Sequence, residues 1–363
     1  HRARPTRPAD PRYVRLMPRT ARRRRTSVAL ALSLVLAVPG ATAAAGTDRL
    51  PSTPDAAAAA GAHVSVARGV ATATKARKLY VDKDSQAETA RRAAVSAGRT
   101  SEAKKLKVIS STAQAKWFGT WNPTSTVRKD VRTYTRKASK AKAVPQLVLY
   151  AIPDRDCGGY SSGGFDAATY KRWVREVSAG LRGSKAIVVL EPDALGLDCA
   201  GATRATLLRY AVGKLSAAGA LVYIDAGHSN WRTPADMAKR LKAAGVAKAR
   251  GFATNVSNFQ STTNERAYAA KVSKALGKLG VKAKNRHYVI DTARNGRATA
   301  GDQWCNPPGQ GLGVKPRWVG GSRLDAYLWV KRPGESDGTC NGGPAAGTWW
   351  TEYALGLVDR RAR

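Results

Sequence analysis

The sequence predicts an α/β protein, a single TIM-like barrel of about seven parallel strands. Short apolar runs rich in Val, Ile and Leu alternate with longer amphipathic stretches, and the short runs are apolar throughout. Such runs are typical of strands buried on both faces of a parallel sheet. About 290 residues take part in the pattern, which suits one barrel domain. An open, doubly wound sheet is the alternative, although no GxGxxG motif follows the first strand.

The individual elements follow from the same alternation. The predicted strands are Lys78–Val81, Gln146–Ala151, Ala186–Leu190, Ala220–Ile224, Gly251–Thr254, His287–Ile290 and Leu324–Val330. The predicted helices are Ser85–Leu106, Asp166–Leu181, Thr203–Ala217, Pro234–Ala244 and Glu265–Leu279.

The first 75 residues have a different composition from the rest. Residues 1–45 combine an upstream extension, within which Met17 is a plausible start, with an arginine run followed by an apolar stretch rich in small residues. That order is typical of a secretory signal peptide, so we expect a secreted protein. An uncleaved membrane anchor is the alternative. Residues 46–75 are of low complexity and predict a flexible leader, and residues 76–363 form the predicted catalytic domain.

The chain is strongly basic, with a formal net charge of +37. Residues 1–45 hold ten Arg and one Asp, so the remainder keeps 52 basic and 24 acidic residues and a net charge of +28. A basic surface attracts nucleic acid, anionic wall polymers or membrane headgroups. No basic stripe with interleaved aromatic residues is present, so we expect no nucleic-acid partner and favour a solvated cationic surface.

The four cysteines occur in no CxxC pair and in no Cys/His cluster with zinc spacing. An even, widely spaced set in an exported protein indicates two disulfide bonds. Three pairings are possible, and we favour the sequential one, Cys157–Cys199 and Cys305–Cys340.

Carboxylates follow five of the predicted strands. They are Asp154, Asp156, Glu191, Asp193, Asp225, Asp291, Glu335 and Asp337. In a parallel barrel the carboxyl ends of all strands open onto one face, so these side chains should converge. Crowded like charges raise one pKa and leave the other groups ionised, which is what glycoside hydrolysis requires. For any single Asp a helix cap or a turn is the simpler interpretation.

Several long motifs resemble one family. LVLYAIPDRDCGGYSSGG and AIVVLEPDALG resemble the two signature segments of glycoside hydrolase family 6. YIDAGHSNW, DTARNGR, GDQWCN and WVKRPGESDG resemble further blocks of that family, in the same order, and the resemblance extends over residues 78–363. It implies a distorted β/α barrel, hydrolysis of β-1,4-glucan with inversion at the anomeric carbon, and no metal or organic cofactor.

The resemblance also implies catalytic roles. Asp193 of EPDAL matches the general acid that protonates the leaving oxygen. Asp156 of DRDC matches the residue that keeps this acid protonated and relays a proton from the attacking water; a salt bridge to Arg155 is the alternative. Asp337 of ESDG matches a carboxylate proposed either as base or as a sugar-orienting group, and Tyr150 matches a tyrosine that helps to distort the sugar.

Other positions match sugar-binding groups of the family. Ser162 matches a serine on a loop that holds the water, although Gly163 replaces the family's usual asparagine. The remaining polar positions that we expect to bind sugar or shape the cleft are Asp225, His228, Asn255, Lys331 and Glu335. A buried Lys331–Glu335 ion pair and a structural His228 are the alternatives.

Tryptophans next to these motifs predict stacking platforms, because pyranose faces are apolar. Trp117 and Trp304 match glucosyl positions on the non-reducing side, and Trp231 matches one on the leaving-group side. Trp349 and Trp350 have no such match, and we interpret them as packing residues.

The loops near Cys305 and Cys340 are short, which favours an open cleft and internal cleavage. We therefore expect a secreted, monomeric endo-β-1,4-glucanase whose partner is a β-1,4-glucan, with no membrane contact once the signal is removed. An exo-acting cellobiohydrolase is one alternative. A non-catalytic, basic protein that binds cell-wall polysaccharide is the other.

Overall fold

The computed structural model describes residues 78–199, 201–297, 299 and 303–362. The predicted signal peptide and leader lie outside these residues. Within them, no helix combines the length and apolar composition that a membrane span requires.

Ten strands and eight helices occur in the described part of the chain. The strands are β1 (Lys78–Leu79), β2 (Lys116–Gly119), β3 (Ala143–Val144), β4 (Gln146–Tyr150), β5 (Ile187–Leu190), β6 (Leu221–Asp225), β7 (Gly251–Thr254), β8 (His287–Asp291), β9 (Arg317–Trp318) and β10 (Leu324–Leu328). The helices are α1 (Gln86–Ser96), α2 (Thr100–Ser110), α3 (Val127–Lys140), α4 (Ala167–Leu181), α5 (Ala202–Ala217), α6 (Pro234–Ala243), α7 (Thr262–Lys278) and α8 (Thr351–Asp359).

Seven of the strands form a parallel sheet in chain order, β2-β4-β5-β6-β7-β8-β10. β9 adds to β10 in the antiparallel direction, and β1 pairs with β3 in a separate two-stranded sheet. The order never reverses, which excludes the doubly wound alternative for the described strands. The predicted α/β barrel is therefore confirmed.

The curled sheet has both of its faces buried. Every residue of β4 and β5 is buried. Leu147 and Leu149 of β4 pack outward in one core with the helices, whereas Val148 packs inward in another core. That inner core includes Ala115, beside β2, and Val330, just after β10. Strands from opposite ends of the sheet thus share one interior, as in a barrel.

The two ends of the sheet meet at a seam without a regular ladder. Three hydrogen bonds bridge it: Ala115 N–H to the Trp329 carbonyl (2.9 Å), Trp117 Nε1–H to the Val330 carbonyl (2.9 Å) and Arg332 Nε–H to the Ala115 carbonyl (2.9 Å). This irregular closure is the distortion that the resemblance implied.

Helix boundaries differ from the prediction mainly at the N-terminal end of the domain. One helix over Ser85–Leu106 was expected, and two are present, because the chain turns at Gly98 with a φ of 72°. That conformation is accessible to glycine but costly for other residues. The prediction also omitted β2, β3, β9, α3 and α8. Asp166 caps α4 and does not begin it, since its carboxylate accepts the N–H groups of the first turn.

Both favoured disulfides, Cys157–Cys199 and Cys305–Cys340, are present. The first joins the loop after β4 to the loop after β5, and the second joins the segment before β9 to the segment after β10. Trp349 and Trp350 pack against the apolar cluster around α8, as expected of packing residues.

Candidate active site

A cavity of about 530 Å³ lies at the carboxyl ends of the parallel strands. Its walls come from β2, from the end of β4 and from the segments after β4, β5, β6, β7, β8 and β10. Nine residues predicted from the sequence line it: Trp117, Tyr150, Asp156, Asp193, His228, Trp231, Trp304, Lys331 and Asp337. The fold therefore brings together most of the site residues that the resemblance implied, including three of the strand-end carboxylates.

Four predicted site residues are not among those that line the cavity. Ser162 is exposed on the loop after β4, and its neighbour Ser161 lines the cavity. Asp225 is buried beneath the Asp193 loop. Asn255 and Glu335 are buried in contacts with other parts of the protein.

Of the two roles expected for Asn255 and Glu335, their contacts agree with shaping the cleft. The side-chain amide of Asn255 forms its hydrogen bonds within the protein. It donates to the Asp291 carbonyl (2.9 Å) and accepts the Gln260 N–H (3.0 Å). The Glu335 carboxylate accepts hydrogen bonds from the Gln86 side chain (2.8 Å) and from Arg332 (3.0 Å). Both residues hold loops in place.

Asp193 occupies the centre of the cluster of carboxylates. Its φ of 69° turns the chain sharply at the end of β5, and its side chain is half-buried. Burial raises the pKa of Asp193 well above the ordinary range, and the negative charges of Asp225, Asp156 and Asp337 raise it further. A raised pKa favours the protonated form of the carboxyl, which is the form that donates a proton.

Asp225 supports Asp193 from below. One carboxylate oxygen of Asp225 accepts the backbone N–H of Asp193 (2.9 Å) and that of Gly227 (3.1 Å). Burial raises the pKa of Asp225 to about 7, although these N–H donors oppose the rise. Its charge and its hydrogen bond therefore both act on Asp193.

The pKa of Asp337 is shifted in the opposite direction. Its carboxylate lies 2.7 Å from Arg294 Nη1 and 3.1 Å from Lys331 Nζ, and it accepts the backbone N–H of Asn306 (3.1 Å). Burial alone would raise the pKa of Asp337, but the two cations outweigh it and hold that pKa below the ordinary range. One cavity thus contains a carboxyl held neutral and a carboxylate held ionised.

These contacts rule out one alternative interpretation from the sequence and identify one further residue of the site. The proposed Lys331–Glu335 ion pair is wrong, because Lys331 pairs with Asp337 and Glu335 pairs with Arg332. Arg294 was overlooked by the sequence analysis, although it stands in the DTARNGR motif. Its side chain is fully buried, and a buried cation requires an anionic partner, which would have been the signal.

Asp156 lies on a strained loop after β4, with a φ of 59°. Its carboxylate accepts the Ser161 N–H (2.7 Å), and no salt bridge joins it to Arg155 in the described structure. The Arg155 guanidinium donates instead to three carbonyl oxygens, those of Tyr150 (2.8 Å), Ser161 (2.7 Å) and Ser162 (3.1 Å). The salt-bridge alternative is therefore wrong, and Arg155 organises the loop that carries Asp156.

Trp231 lies flat against the backbone on one side of the cavity. A methyl group added to Gly196 would come within 2.6 Å of the indole, and one added to Gly227 within 2.9 Å. Both glycines are required so that the ring can approach this closely. The His228 ring lies 5.5 Å from the Trp231 ring, and its Nδ1 accepts the Asn230 N–H (3.3 Å), so His228 combines a cavity position with a structural contact.

Trp117 and Trp304 stand on other walls. Trp117 is anchored through its indole N–H at the seam, and its ring meets Tyr150 edge-on at 5.4 Å. Trp304 is 46% exposed and lies 6.1 Å from the ring of Tyr160, which is 52% exposed. Tyr160 also covers Gly338, where an added methyl group would clash at 2.4 Å. The sequence analysis did not single out Tyr160.

Two further strand-end carboxylates, Asp291 and Glu191, do not line the cavity. Asp291 accepts four backbone N–H groups, those of Ser257, Ala293, Val330 and Lys331, at 2.9–3.2 Å. Glu191 accepts the N–H groups of Ala151 (2.9 Å) and Ile152 (3.1 Å) at the start of the Asp156 loop. The expected convergence of all carboxylates is thus corrected, since these two satisfy backbone donors that burial would otherwise leave unpaired.

Among the described residues, no group of three or more His, Cys, Asp or Glu side chains is arranged to hold a metal ion.

Glu191 generates a prediction about stability. Burial raises the pKa of Glu191 to about 7, so between pH ~4.5 and ~7 the folded protein binds more protons than the unfolded chain. The free energy of unfolding should therefore fall as the pH rises, by up to ~1.4 kcal/mol per pH unit from this group. Glu191→Gln, which keeps an oxygen acceptor but does not titrate, should show a shallower fall in urea unfolding. Glu352→Gln, an exposed glutamate on α8, is the matched control; equal slopes for wild type and Glu191→Gln would contradict the assignment.

Comparison with known proteins agrees with this geometry. The sequence model of the family described as "Glycosyl hydrolases family 6" matches residues 74–361. Endoglucanase A of Cellulomonas fimi is 46% identical over 289 residues, which cover 78% of this chain and 61% of that protein. Endoglucanase 1 of Streptomyces halstedii is 36% identical over 297 residues, which cover 78% of this chain and 89% of that protein.

A solved structure matches as well. An endoglucanase of Mycobacterium tuberculosis, determined with methyl-cellobiosyl-4-deoxy-4-thio-β-D-cellobioside, superimposes with a TM-score of 0.73 at 43% identity and covers 78% of this chain and 97% of that one. The chain spans 61% of the length of the Cellulomonas relative and 52% of the length of Endoglucanase A of Thermobispora bispora. With nearly all of its described residues inside the family match, the chain belongs to glycoside hydrolase family 6.

Proposed function

We propose that this protein is an endo-β-1,4-glucanase that hydrolyses internal bonds of cellulose or a related β-glucan with inversion. The observation that carries the proposal is the electrostatic contrast within one cavity. Asp193 has a raised pKa and Asp337 has a lowered one. A glycosidase needs a proton donor and ionised carboxylates on either side of one bond, and this contrast supplies both.

Asp193 is the proposed general acid. Its proton goes to the glycosidic oxygen as the bond to the anomeric carbon breaks. The negative charge of Asp156 favours the protonated form of this carboxyl, and so does that of Asp225 as it ionises around its pKa of about 7. Tyr150 also lines the cavity at the end of β4, where it contacts Trp117 and Arg155 and limits the space for the reacting sugar.

Asp156 is the proposed route for the proton of the attacking water. Inversion requires a water molecule between the sugar and the carboxylate that activates it, which places acid and base roughly 6.5–9.5 Å apart. Asp337 is the weaker candidate for base, because its ion pairs with Arg294 and Lys331 hold its pKa below the ordinary range and make it a poor proton acceptor. We assign Asp337 to stabilising the positive charge that develops on the sugar ring.

The tryptophans supply the proposed glucosyl platforms. Trp117, Trp231 and Trp304 line different walls of the same cavity. Trp304 and Tyr160 are each about half exposed, so the end of the cavity that they border is open to solvent. This exposure supports a cleft that admits the middle of a polymer, and the relatives with the highest identities described above are named endoglucanases.

The exo-acting alternative has weaker support. A 1,4-β-D-glucan cellobiohydrolase C of Emericella nidulans is 32% identical over 299 residues, less than the endoglucanases. No observation favours a non-catalytic wall-binding protein. Secretion is part of the proposal, because both disulfides require an oxidising compartment.

The first test compares the wild-type protein with Asp193→Asn on carboxymethylcellulose, following viscosity and reducing ends together. The wild type should lower viscosity well before many reducing ends appear, as internal cleavage does. Asp193→Asn should lose about 10²–10⁴-fold in rate, the usual contribution of a general acid. Asp359→Asn, an exposed aspartate on α8, should retain full activity. Equal activity of Asp193→Asn and wild type would refute the assignment of the acid.

Inversion has its own test. Proton NMR of the first products of cellopentaose hydrolysis should show newly formed α-anomers, which then mutarotate to the equilibrium mixture. Initial release of β-anomers would instead indicate a retaining mechanism.

A further inference from the structure

A second, smaller cavity of about 170 Å³ lies away from the active site. Pro145 and Lys185, which line it, come just before β4 and β5. The cavity therefore lies at the amino ends of these strands, opposite the edge that carries the active site. Its other walls come from the carboxyl-terminal halves of α3 and α4. We call it the basal pocket.

The basal pocket is lined by four cations, Arg132, Arg136, Arg182 and Lys185, and by no aspartate or glutamate. Arg132 donates to the Ala179 carbonyl (3.2 Å). The side chains of the other three are exposed and form no ion pair or hydrogen bond with any described residue.

Two other cations of α3 do have acidic partners. On other faces of the same helix Lys137 pairs with Asp84, and Arg128 pairs with Glu176 at 2.7 Å. Cations near a helix carboxyl terminus often donate hydrogen bonds to the last carbonyl groups, and Arg132 does so. The other three cations do not reach a carbonyl oxygen. Capping of helix ends therefore does not explain why they converge on this pocket.

We propose that the basal pocket binds a phosphate group of a phosphodiester-linked polyol polymer. Four like charges around one concavity repel each other, and a bound anion relieves that repulsion. The planar guanidinium of arginine matches the oxygen geometry of phosphate. The Ser139 hydroxyl also lines the pocket and offers a further donor, whereas the hydroxyls of Thr135 and Ser184 already donate to the carbonyls of Arg132 and Leu181.

The lining favours this polymer over other phosphate carriers. No aromatic side chain lines the basal pocket, so nucleobases would have no stacking platform. The apolar lining residues are limited to Ala143, Val144 and Pro145, which are too small to insert into a bilayer. The cavity is smaller than the ~300 Å³ of common small-molecule sites, so it suits one charged group of a longer chain.

A repeating polyanion also fits the rest of the surface. The chain beyond residue 45 has a net charge of +28, which attracts neighbouring phosphates of the same polymer. Binding of an uncharged glucan does not require this positive charge. Binding at the amino ends of the strands would hold the enzyme on an anionic surface while the cleft at the other end remains accessible to glucan.

The test is calorimetric titration of the full protein with a glycerol phosphate oligomer of about ten units, at two salt concentrations. The variant Arg136→Gln/Arg182→Gln/Lys185→Gln should bind at least about tenfold more weakly and show a shallower salt dependence. The control Lys271→Gln/Lys274→Gln/Lys278→Gln removes the same charge from exposed positions on α7 and should change the affinity by less than about twofold. Both variants should hydrolyse soluble glucan at the wild-type rate, which shows that they are folded.

A second variant keeps the charge. Arg136→Lys/Arg182→Lys should also bind more weakly, because lysine lacks the planar fork; unchanged affinity would overturn the role of the guanidinium groups. If the two triple variants lose the same amount of affinity, binding depends only on overall surface charge. That result would overturn the proposal that the basal pocket is the binding site. Tighter binding of a single-stranded DNA, a hyaluronate chain or phosphatidylglycerol vesicles would overturn the choice of polymer, as would inorganic phosphate that binds as tightly as the oligomer.

Discussion

The ion pairs that Asp337 forms with Arg294 and Lys331 are the interactions on which the active site depends. A buried carboxylate without a partner would take up a proton, and the two cations prevent this. Asp337 therefore contributes a fixed negative charge to a cavity in which Asp193 is also placed. Burial is the largest cause of the raised pKa of Asp193, and the charges of Asp225, Asp156 and Asp337 raise it further. Asp337 thus stays ionised beside a carboxyl whose protonated form is favoured.

The barrel is what allows these groups to meet. The curl of the sheet brings the end of β10 beside β2, where the Trp117 indole N–H binds the Val330 carbonyl. Asp291 binds the backbone N–H groups of Val330 and Lys331 from the neighbouring strand end. The position of the Lys331 ammonium, and through it the charge of Asp337, is therefore set by the closure of the fold. Stability and chemistry share these contacts.

The sequence was sufficient for the long strands and for the main carboxylates. β4, β5 and β7 are continuous apolar runs with both faces buried, so their prediction needed only periodicity. β2 was missed because its four residues begin with Lys116 and are only half buried at that end. The break at Gly98 was missed because a single glycine within a helical pattern does not reveal a left-handed turn.

Side-chain direction was the harder part of the site. Asp193 and Asp156 face the cavity from backbone conformations with positive φ, and motif matching identified them without their geometry. Glu335 and Asn255 belong to the same kinds of strand-end loop but turn into the protein, where Gln86 and Gln260 hold them. Partners so distant in sequence, such as Gln86 with Glu335, are set by tertiary packing and leave no local pattern. Arg294 was overlooked for the same reason, since its partner Asp337 lies on another loop.

Carbon-13 NMR titration of the aspartate carboxyl groups tests the central claim most directly, with the two resonances assigned by Asp193→Asn and Asp337→Asn. The account predicts that Asp193 remains protonated well above the ordinary aspartate pKa of ~3.9 and that Asp337 remains ionised below it. If both groups titrate close to the ordinary value, the electrostatic contrast does not exist and the proposed mechanism is wrong.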